Sequence, residues 1–167
     1  MARKKKTELQ IIEGDILTTK CQTIANPITL DGISGGLLDI QLKKKFPRYQ
    51  IHYDYIVRNN LLSVGVLWLY KTETWQILSI PTHKRGGKKP TLKDIEAGLD
   101  KFVAMYKEKG ITSIAFPLIG VGDKHFDKDQ ILELLSTKLS KVDIPIEIYV
   151  APTEKLIHKG EQLELWS

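Results

Sequence analysis

The sequence predicts one α/β domain of three layers, in which a mixed, mostly parallel sheet lies between helices. Short β-rich runs alternate with segments whose apolar residues recur at helical spacing. Loops that contain glycine follow several of these runs. The 167 residues, of which 42% are hydrophobic, suit a single core. We therefore expect a basic N-terminal arm at residues 1–8 and a single domain over residues 9–167.

The predicted strands are short apolar runs bounded by polar residues, glycine or proline. In the second run, Asn26-Pro27 is expected to end the strand. Polar residues 71–73 separate the third run from the fourth, which predicts a hairpin. The runs are Leu9–Ile12, Thr23–Ala25, Val66–Tyr70, Thr74–Ile80, Ile111–Phe116 and Ile144–Val150.

The predicted helices have apolar residues at intervals of three and four. The first begins at Leu37, after two glycines, and closes at Lys43–Lys45 before a proline. The second covers Thr91–Lys109. Thr91 followed by Asp94 is a helix-start signal, and Gly110 is a stop signal. The third helix covers Asp127–Leu139.

Composition excludes several classes of protein. Cys21 is the only cysteine, so an internal disulfide and a cysteine-based zinc site are excluded, and we expect a cytoplasmic protein. No apolar run reaches the roughly 18 residues of a membrane span. The net charge is +5, and basic residues cluster at 3–6 and at 84–89. These segments could attract nucleic acid or another polyanion, although a solvated arm also explains the first.

Three loops are placed where a parallel sheet binds ligands, at the carboxyl ends of its strands. They contain Gly14-Asp15, Asn26–Gly36 and Pro117–Phe126. Glycines allow close backbone approach, and the following helix start adds partial positive charge. The second and third loops could together hold the two phosphates of a diphosphate. Either loop alone is equally explained by a flexible turn.

A further loop, Ser79–Gly87, follows the fourth predicted strand. His83 and Lys84 in this loop could bind anions or act as acid or base. An ordinary basic surface loop is the alternative interpretation. The other histidines, at positions 52, 125 and 158, show no spacing typical of metal ligands, so neither a metal nor a cofactor is expected.

Taken together, these motifs resemble the macrodomain family. Within it, the similarity is closest to the branch of the terminal ADP-ribose glycohydrolase and the DNA ADP-ribosyl glycohydrolase antitoxins. It covers roughly residues 11–149. The motifs that carry it are Gly14-Asp15-Ile16, Ala25-Asn26 followed by Gly35-Gly36, Gly120-Val121-Gly122, and Tyr149.

The resemblance implies a site for ADP-ribose. Asp15 would contact the adenine amino group, Tyr149 would pack near adenine, and the two glycine loops would hold the diphosphate. The implied ligand-binding residues are Asp15, Ile16, Asn26, Thr29, Ser34, Gly35, Gly36, Leu37, Pro117, Ile119, Gly120, Val121, Gly122 and Tyr149.

The implied catalytic residues are Lys84, His83 and Asp123. In the human member of the branch, a lysine and an aspartate act at the distal ribose. The aligned positions here hold His83 and Lys124, with Lys84 and Asp123 one residue away. A lysine could attack the anomeric carbon or stabilise charge, and a histidine or aspartate could transfer a proton.

Three functions follow from the resemblance. The first is an ADP-ribosyl hydrolase that removes ADP-ribose from modified DNA or protein. The second is a non-catalytic ADP-ribose reader. The third is a protein that processes or sequesters a small molecule derived from ADP-ribose, such as ADP-ribose 1″-phosphate. We expect a monomer whose partner is ADP-ribose or an ADP-ribosylated macromolecule, with nucleic acid contacted through the basic segments and no membrane partner.

Overall fold

A computed structural model describes residues 9–33, 35–122 and 124–151. The predicted basic arm lies outside these ranges, so the domain boundaries stay a prediction. The strands are β1 (Leu9–Glu13), β2 (Thr23–Ile28), β3 (Trp68–Lys71), β4 (Gln76–Pro81), β5 (Ile114–Pro117) and β6 (Ile146–Val150). The helices are α1 (Leu37–Lys45), α2 (Pro47–Arg58), α3 (Leu92–Met105) and α4 (Lys128–Lys138), with a short 3-10 helix at Ile16–Thr18.

The strands form one sheet in the order β1-β6-β5-β2-β4-β3. Neighbouring strands are parallel, except that β3 runs antiparallel to β4. The predicted mixed, mostly parallel sheet and the predicted hairpin are therefore confirmed. Because five strands point the same way, their carboxyl ends share one edge of the sheet, which we call the carboxyl edge.

Helices cover both faces of the sheet, which confirms the three predicted layers. Successive strand residues point to opposite faces, as in Ile24 and Ala25 of β2. Ala25 belongs to a buried cluster with residues of α3 and α4, including Phe102. Ile24 belongs to a second cluster with Leu42 of α1 and Tyr49 of α2. Within the described ranges, no helix is long and apolar enough to cross a membrane.

Strand β2 continues through Asn26 and Pro27 to Ile28, so the prediction that Asn26-Pro27 ends it is wrong. Proline has a fixed φ that an extended strand can adopt, and it has no backbone N–H to donate. Strand β2 tolerates Pro27 because Asn26 and Pro27 still pair with β4. Asn26 is fully buried, and its side-chain amide donates to the side chains of Asp39 and Tyr49. The first glycine loop is therefore shorter than the sequence suggested.

Helix α2 was not predicted, although Pro47 at its first position is a known start signal. Its buried residues are Tyr49, Tyr53 and Val57, spaced four apart. Helix α3 begins as predicted: Thr91 and the first-turn aspartate form a complete capping box. It ends at Met105, four residues before the predicted Lys109.

Candidate functional site

A cleft of about 490 Å³ opens on the carboxyl edge. Three loops surround it: loop 1 (residues 29–36, between β2 and α1), the histidine loop (residues 82–91, between β4 and α3) and loop 2 (residues 118–127, between β5 and α4). The lining residues come mainly from these loops and the first turn of α1. They are Pro27, Thr29, Ile33, Gly35, Gly36, Leu37, Ile40, Thr82, His83, Pro90, Ile95, Ile119, Gly120 and His125.

Hydrogen bonds within loop 1 and from α2 fix the shape of loop 1. The Thr29 hydroxyl donates to the Ile33 carbonyl at 2.6 Å, and the Tyr53 hydroxyl donates to the Thr29 carbonyl at 2.9 Å. Gly35 lies so close to β2 that a Cβ there would stand 2.8 Å from the Pro27 carbonyl oxygen. Only glycine fits this approach without moving backbone.

A buried polar network supports loop 1 from the side of α1. Asp39 accepts hydrogen bonds from the Gly35 amide at 2.8 Å, from Asn26 Nδ2 at 2.9 Å and from Lys43 Nζ at 2.7 Å. Lys43 also lies 3.4 Å above the centre of the Tyr53 ring. Burial raises the pKa of Tyr53, so this hydroxyl stays protonated at neutral pH. Because it donates to Asp39, the Gly35 amide is already hydrogen-bonded within the protein.

Asn26 lies behind the cleft. Its Nδ2 atom also donates to the Tyr49 hydroxyl at 2.9 Å, and that hydroxyl lies 2.6 Å from Ser79 Oγ. Burial raises the pKa of Tyr49 above its ordinary range, which keeps the hydroxyl protonated. In the described part of the chain, Asn26 Oδ1 is a buried oxygen without a hydrogen-bond partner.

The first turn of α1 opens onto the cleft without a side-chain cap. Gly36 is the N-cap residue, at φ 151° and ψ −174°, a conformation that favours glycine. None of the described side chains caps this turn. Gly36 and Leu37 line the cleft, whereas the first-turn Asp39 is turned away toward Lys43. An uncapped helix start presents amide donors and partial positive charge, which suits a phosphate.

The histidine loop brings an imidazole into the cleft. His83 Nδ1 lies 3.2 Å from Thr82 Oγ1, and His83 Nε2 lies 3.8 Å from Asp31 Oδ2 of loop 1. His83 is half-buried, and it lines the cleft. Lys84 is exposed and is not a lining residue. The Arg85 guanidinium donates to the Val57 carbonyl at the end of α2.

Loop 2 forms the opposite wall with a tight turn. Gly120 has φ 77°, and a Cβ there would stand 2.6 Å from the Phe126 ring. Both the backbone conformation and the packing therefore disfavour a side chain at this position. The amide of His125 donates to the Gly120 carbonyl at 2.9 Å. With this turn, His125 is one of the residues that line the cleft. Lys124 is exposed at φ 59°.

The predicted adenine residues lie farther along the same edge, after β1 and near the end of β6. Asp15 caps the 3-10 helix by accepting from the Leu17 amide at 2.9 Å. Tyr149 is buried, and its hydroxyl donates to Glu147 at 2.9 Å. Burial raises the pKa of Glu147, but hydrogen bonds from Thr19 and Tyr149 lower it, and the net pKa is lowered.

The Macro domain family profile matches residues 25–135, which is well over half of the chain. The chain belongs to the macrodomain family. The match includes the last four residues of β2, loop 1, the histidine loop and loop 2, so the three loops around the cleft all lie inside the matched region.

Relatives of this macrodomain have names that mention ADP-ribose chemistry. A "DNA ADP-ribosyl transferase-DNA ADP-ribosyl glycohydrolase fusion protein" of Thermosipho africanus is 29% identical over 174 residues, covering 92% of this macrodomain and 44% of the relative. The human "ADP-ribose glycohydrolase OARD1" is 23% identical over 144 residues, covering 86% and 91%. This macrodomain thus spans less than half the length of the Thermosipho protein.

Solved structures show the same fold. "Thermosipho africanus DarTG in complex with ADP-ribose" matches with a TM-score of 0.78 and 28% identity, covering 85% of this macrodomain and 41% of that chain. The "Macrodomain of Thermus aquaticus DarG" matches with a TM-score of 0.78 and 20% identity, covering 86% and 99%.

The structure brings together about half of the predicted site residues around the cleft. Those that line it are Thr29, Gly35, Gly36, Leu37, Ile119, Gly120 and His83. Lys84, Val121 and Gly122 belong to the surrounding loops but do not line the cleft, and the residues outside these loops are Asp15, Ile16, Asn26, Pro117 and Tyr149. Ser34 and Asp123 lie outside the described residues. Ligand contacts by all of these residues stay predictions.

Sequence reasoning missed several residues of the site. His125 was considered only as a metal ligand, yet it lines the cleft. Asp31 and Asp39 were not proposed, although both are acidic residues inside or just after the first glycine loop. An acidic residue beside glycines that are expected to meet phosphate is the signal that could have found them. It indicates that the carboxylate has a partner inside the protein.

Proposed function

We propose that this macrodomain binds ADP-ribose along the carboxyl edge and hydrolyses the bond that joins ADP-ribose to a modified macromolecule. The named relatives support the chemistry, and the cleft between two glycine loops supports the place. The observation that carries the proposal is the uncapped start of α1, which opens onto the cleft opposite Gly120. A diphosphate is the part of ADP-ribose that such a start would hold.

The order of the strands suggests how the ligand lies. Asp15 follows β1, loop 2 follows β5, loop 1 follows β2, and the histidine loop follows β4. From β1 to β4 there are four steps of roughly 4.8 Å, about 19 Å in all. We therefore place adenine beside Asp15, the diphosphate between the two glycine loops, and the distal ribose beside the histidine loop. Tyr149 supports the adenine end from within the core.

The distal ribose would then lie next to His83. Of the predicted catalytic residues, His83 is the one that lines the cleft, whereas Lys84 is exposed beside it. This placement favours proton transfer by His83 over attack by Lys84. Asp123, outside the described residues, stays a predicted contributor from loop 2.

The macromolecule would approach over the histidine loop. Lys84, Lys88 and Lys89 are exposed there and could contact phosphates of DNA. Arg85 is less available, since its guanidinium already binds the end of α2. DNA as the modified partner, a monomeric state and a cytoplasmic setting are parts of the proposal that follow the sequence prediction.

Calorimetric titration with ADP-ribose, followed by hydrolysis assays on DNA-linked, protein-linked and 1″-phosphate substrates, tests the proposal. We expect one binding site and release of free ADP-ribose from a macromolecular substrate. His83→Ala and Lys84→Ala form a matched pair, because they are neighbours in one loop. We expect His83→Ala to lose release by about 100-fold, within the usual range for an acid–base group, and Lys84→Ala to keep it.

Each alternative has its own outcome. Binding without release from any substrate would indicate a reader and contradict hydrolysis. Release of inorganic phosphate from ADP-ribose 1″-phosphate alone would indicate a small-molecule processor. Loss of activity in Lys84→Ala with activity kept in His83→Ala would restore the lysine mechanism that the sequence suggested. Absence of ADP-ribose binding would overturn the proposed function as a whole.

A further inference from the structure

We propose that Asp31 is the positioning residue for His83, so that the proton-transfer group of this macrodomain is a histidine–aspartate pair assembled from loop 1 and the histidine loop. The inference rests on the proposed function and goes beyond it, because it assigns a role to a residue that the sequence did not indicate. It also assigns the chemistry to proton transfer by a histidine–aspartate pair, in place of the nucleophilic lysine that the family resemblance implies.

The geometry of Asp31 carries the proposal. Its Oδ2 atom lies 3.8 Å from His83 Nε2, and its two oxygens accept from the backbone amides of Gly86 at 3.0 Å and Gly87 at 3.4 Å. Asp31 therefore joins loop 1 to the histidine loop. The Gly86 and Gly87 amides hold the carboxylate in place without neutralising its charge.

The imidazole is oriented from both of its nitrogens. Nδ1 lies 3.2 Å from Thr82 Oγ1, and the Thr82 amide donates to the Ile28 carbonyl at 3.2 Å, which ties this residue to β2. Nε2 lies beside Asp31, at a distance longer than a direct N–H···O bond. A proton on Nε2 is thus attracted by the carboxylate without being fully committed to it.

Among the described residues that line the cleft, His125 is the one titratable side chain besides His83. Arg85 is directed to the Val57 carbonyl, and Lys84 is exposed. Asp31 lies at the surface as a residue, although only 24% of its side chain is exposed, and the His83 side chain is 14% exposed. Partial burial strengthens the attraction between carboxylate and imidazolium relative to an exposed pair.

The pair supplies a complete proton cycle for hydrolysis. The bond between C1″ of the distal ribose and the leaving atom breaks, and its electron pair goes to the leaving atom. The His83 imidazolium gives the proton on Nε2, which makes no direct hydrogen bond to Asp31, to that atom. A water oxygen forms the new bond to C1″, and the proton released from the water returns to His83. Asp31 keeps the imidazole ring in position for both transfers.

Steady-state kinetics of Asp31 variants and a control variant tests the pair. Asp31→Asn keeps the size of the side chain and one carbonyl-type acceptor, but removes its charge. We expect it to lower kcat by about 10- to 100-fold and to leave KM within about threefold, because an imidazole that is no longer held in position transfers its proton more slowly, whereas Asp31 is assigned no contact with the ligand. Asp31→Glu keeps the charge and should retain more activity. Asp100→Asn is the matched control, because Asp100 pairs with Lys138 away from the cleft.

The double variant Asp31→Asn/His83→Ala separates positioning from simple loop support. If Asp31 acts through His83, the double variant is as slow as His83→Ala alone. Added imidazole should restore part of the activity of His83→Ala, which a purely structural role would not allow. Losses that multiply in the double variant, or a kcat unchanged in Asp31→Asn, would overturn the pair.

Failure of the pair and failure of the proposed function give different results. Turnover by the wild type that survives in Asp31→Asn and in His83→Ala overturns the pair alone. Loss of turnover in His125→Ala instead would move proton transfer to loop 2 and also overturn the pair. Absence of turnover by the wild type with every linkage overturns hydrolysis and, with it, the role of both residues.

Discussion

Helices α1 and α3 both begin on the carboxyl edge, and their first turns are built differently. Helix α3 begins with a complete capping box, in which Thr91 accepts from the Asp94 amide and Asp94 accepts from the Thr91 amide. Helix α1 begins at Gly36 with no side-chain cap, and its first-turn acid, Asp39, is turned into the core. One start is closed by its own side chains, and the other is open to the cleft.

The difference separates stability from binding. A capping box satisfies helix-end donors at all times and contributes to folding. An open start leaves donors for a ligand, and loses the stability that a cap would give. Around α1, stability comes instead from the buried pair of Asp39 and Lys43, which holds loop 1 by the Gly35 amide. The first three predictions below test each side of this comparison, and the fourth tests the region around Glu147, away from both helices.

The largest expected effect is that of Asp39→Asn. It leaves Lys43 buried without its carboxylate, with a side-chain exposure of 5%. Removing one partner of a buried pair costs about 3–5 kcal/mol of unfolding free energy. Urea denaturation measures this loss. The double variant Asp39→Asn/Lys43→Met should recover most of it, because no buried charge remains. No recovery in the double variant would contradict the assigned pair.

Gly35→Ala is expected to act mainly on the ligand. The added Cβ would stand 2.8 Å from a backbone oxygen of β2, so loop 1 must move away from the sheet. We expect ADP-ribose to bind at least about tenfold more weakly, or about 1.4 kcal/mol, by calorimetry. Gly110→Ala is the control: its φ of 73° strains the backbone away from the cleft, so stability falls while the Kd is kept. Equal Kd values for the two variants would contradict the role of loop 1.

Thr91→Ala opens the start of α3. Loss of a threonine cap costs about 1 kcal/mol of stability. The Kd for ADP-ribose should be unchanged, because the cap faces its own helix. Thermal unfolding and calorimetry on the same sample check both expectations. A weakened Kd with normal stability would mean that α3 also meets the ligand.

Glu147→Gln, at the end proposed for adenine, gives the smallest effect. The lowered pKa of Glu147 means that its carboxylate stabilises the folded state above its ordinary pKa of 4.5. This contribution is lost as the pH falls through the lower pKa of the folded state. At neutral pH the wild type should be more stable than the variant by less than about 1 kcal/mol. Urea denaturation should show the gap closing in acid, and a gap that is constant with pH would contradict this assignment.

The features that could be predicted from the sequence depend on residues that are close together in the chain. Thr91 and Asp94 are three residues apart, and their capping box could be read directly from that spacing. The glycines at 35 and 120 could also be placed in loops after strands. The role of Asp39 could not, because its partners Asn26 and Lys43 meet only when α1 packs on β2.

The direction of loop side chains was also beyond the sequence. His83 and Lys84 are neighbours of similar basic character, and only the fold shows that the first lines the cleft. Asp31 meets His83 although the two are far apart in the chain. The sequence does not indicate helix α2, because a proline after a helical run is typical of a helix end, whereas Pro47 is the first residue of the next helix.

Amide signals in a nuclear magnetic resonance titration test the central claim most directly. With ADP-ribose, the amides of Gly36, Leu37 and Leu38 at the open start of α1 should shift strongly, and those of Leu92 and Lys93 at the closed start of α3 should stay in place. Adenosine, which lacks phosphate, should leave the α1 amides unmoved. Shifts confined to α3, or α1 shifts of equal size with adenosine, would contradict the assignment of the open helix start to the diphosphate.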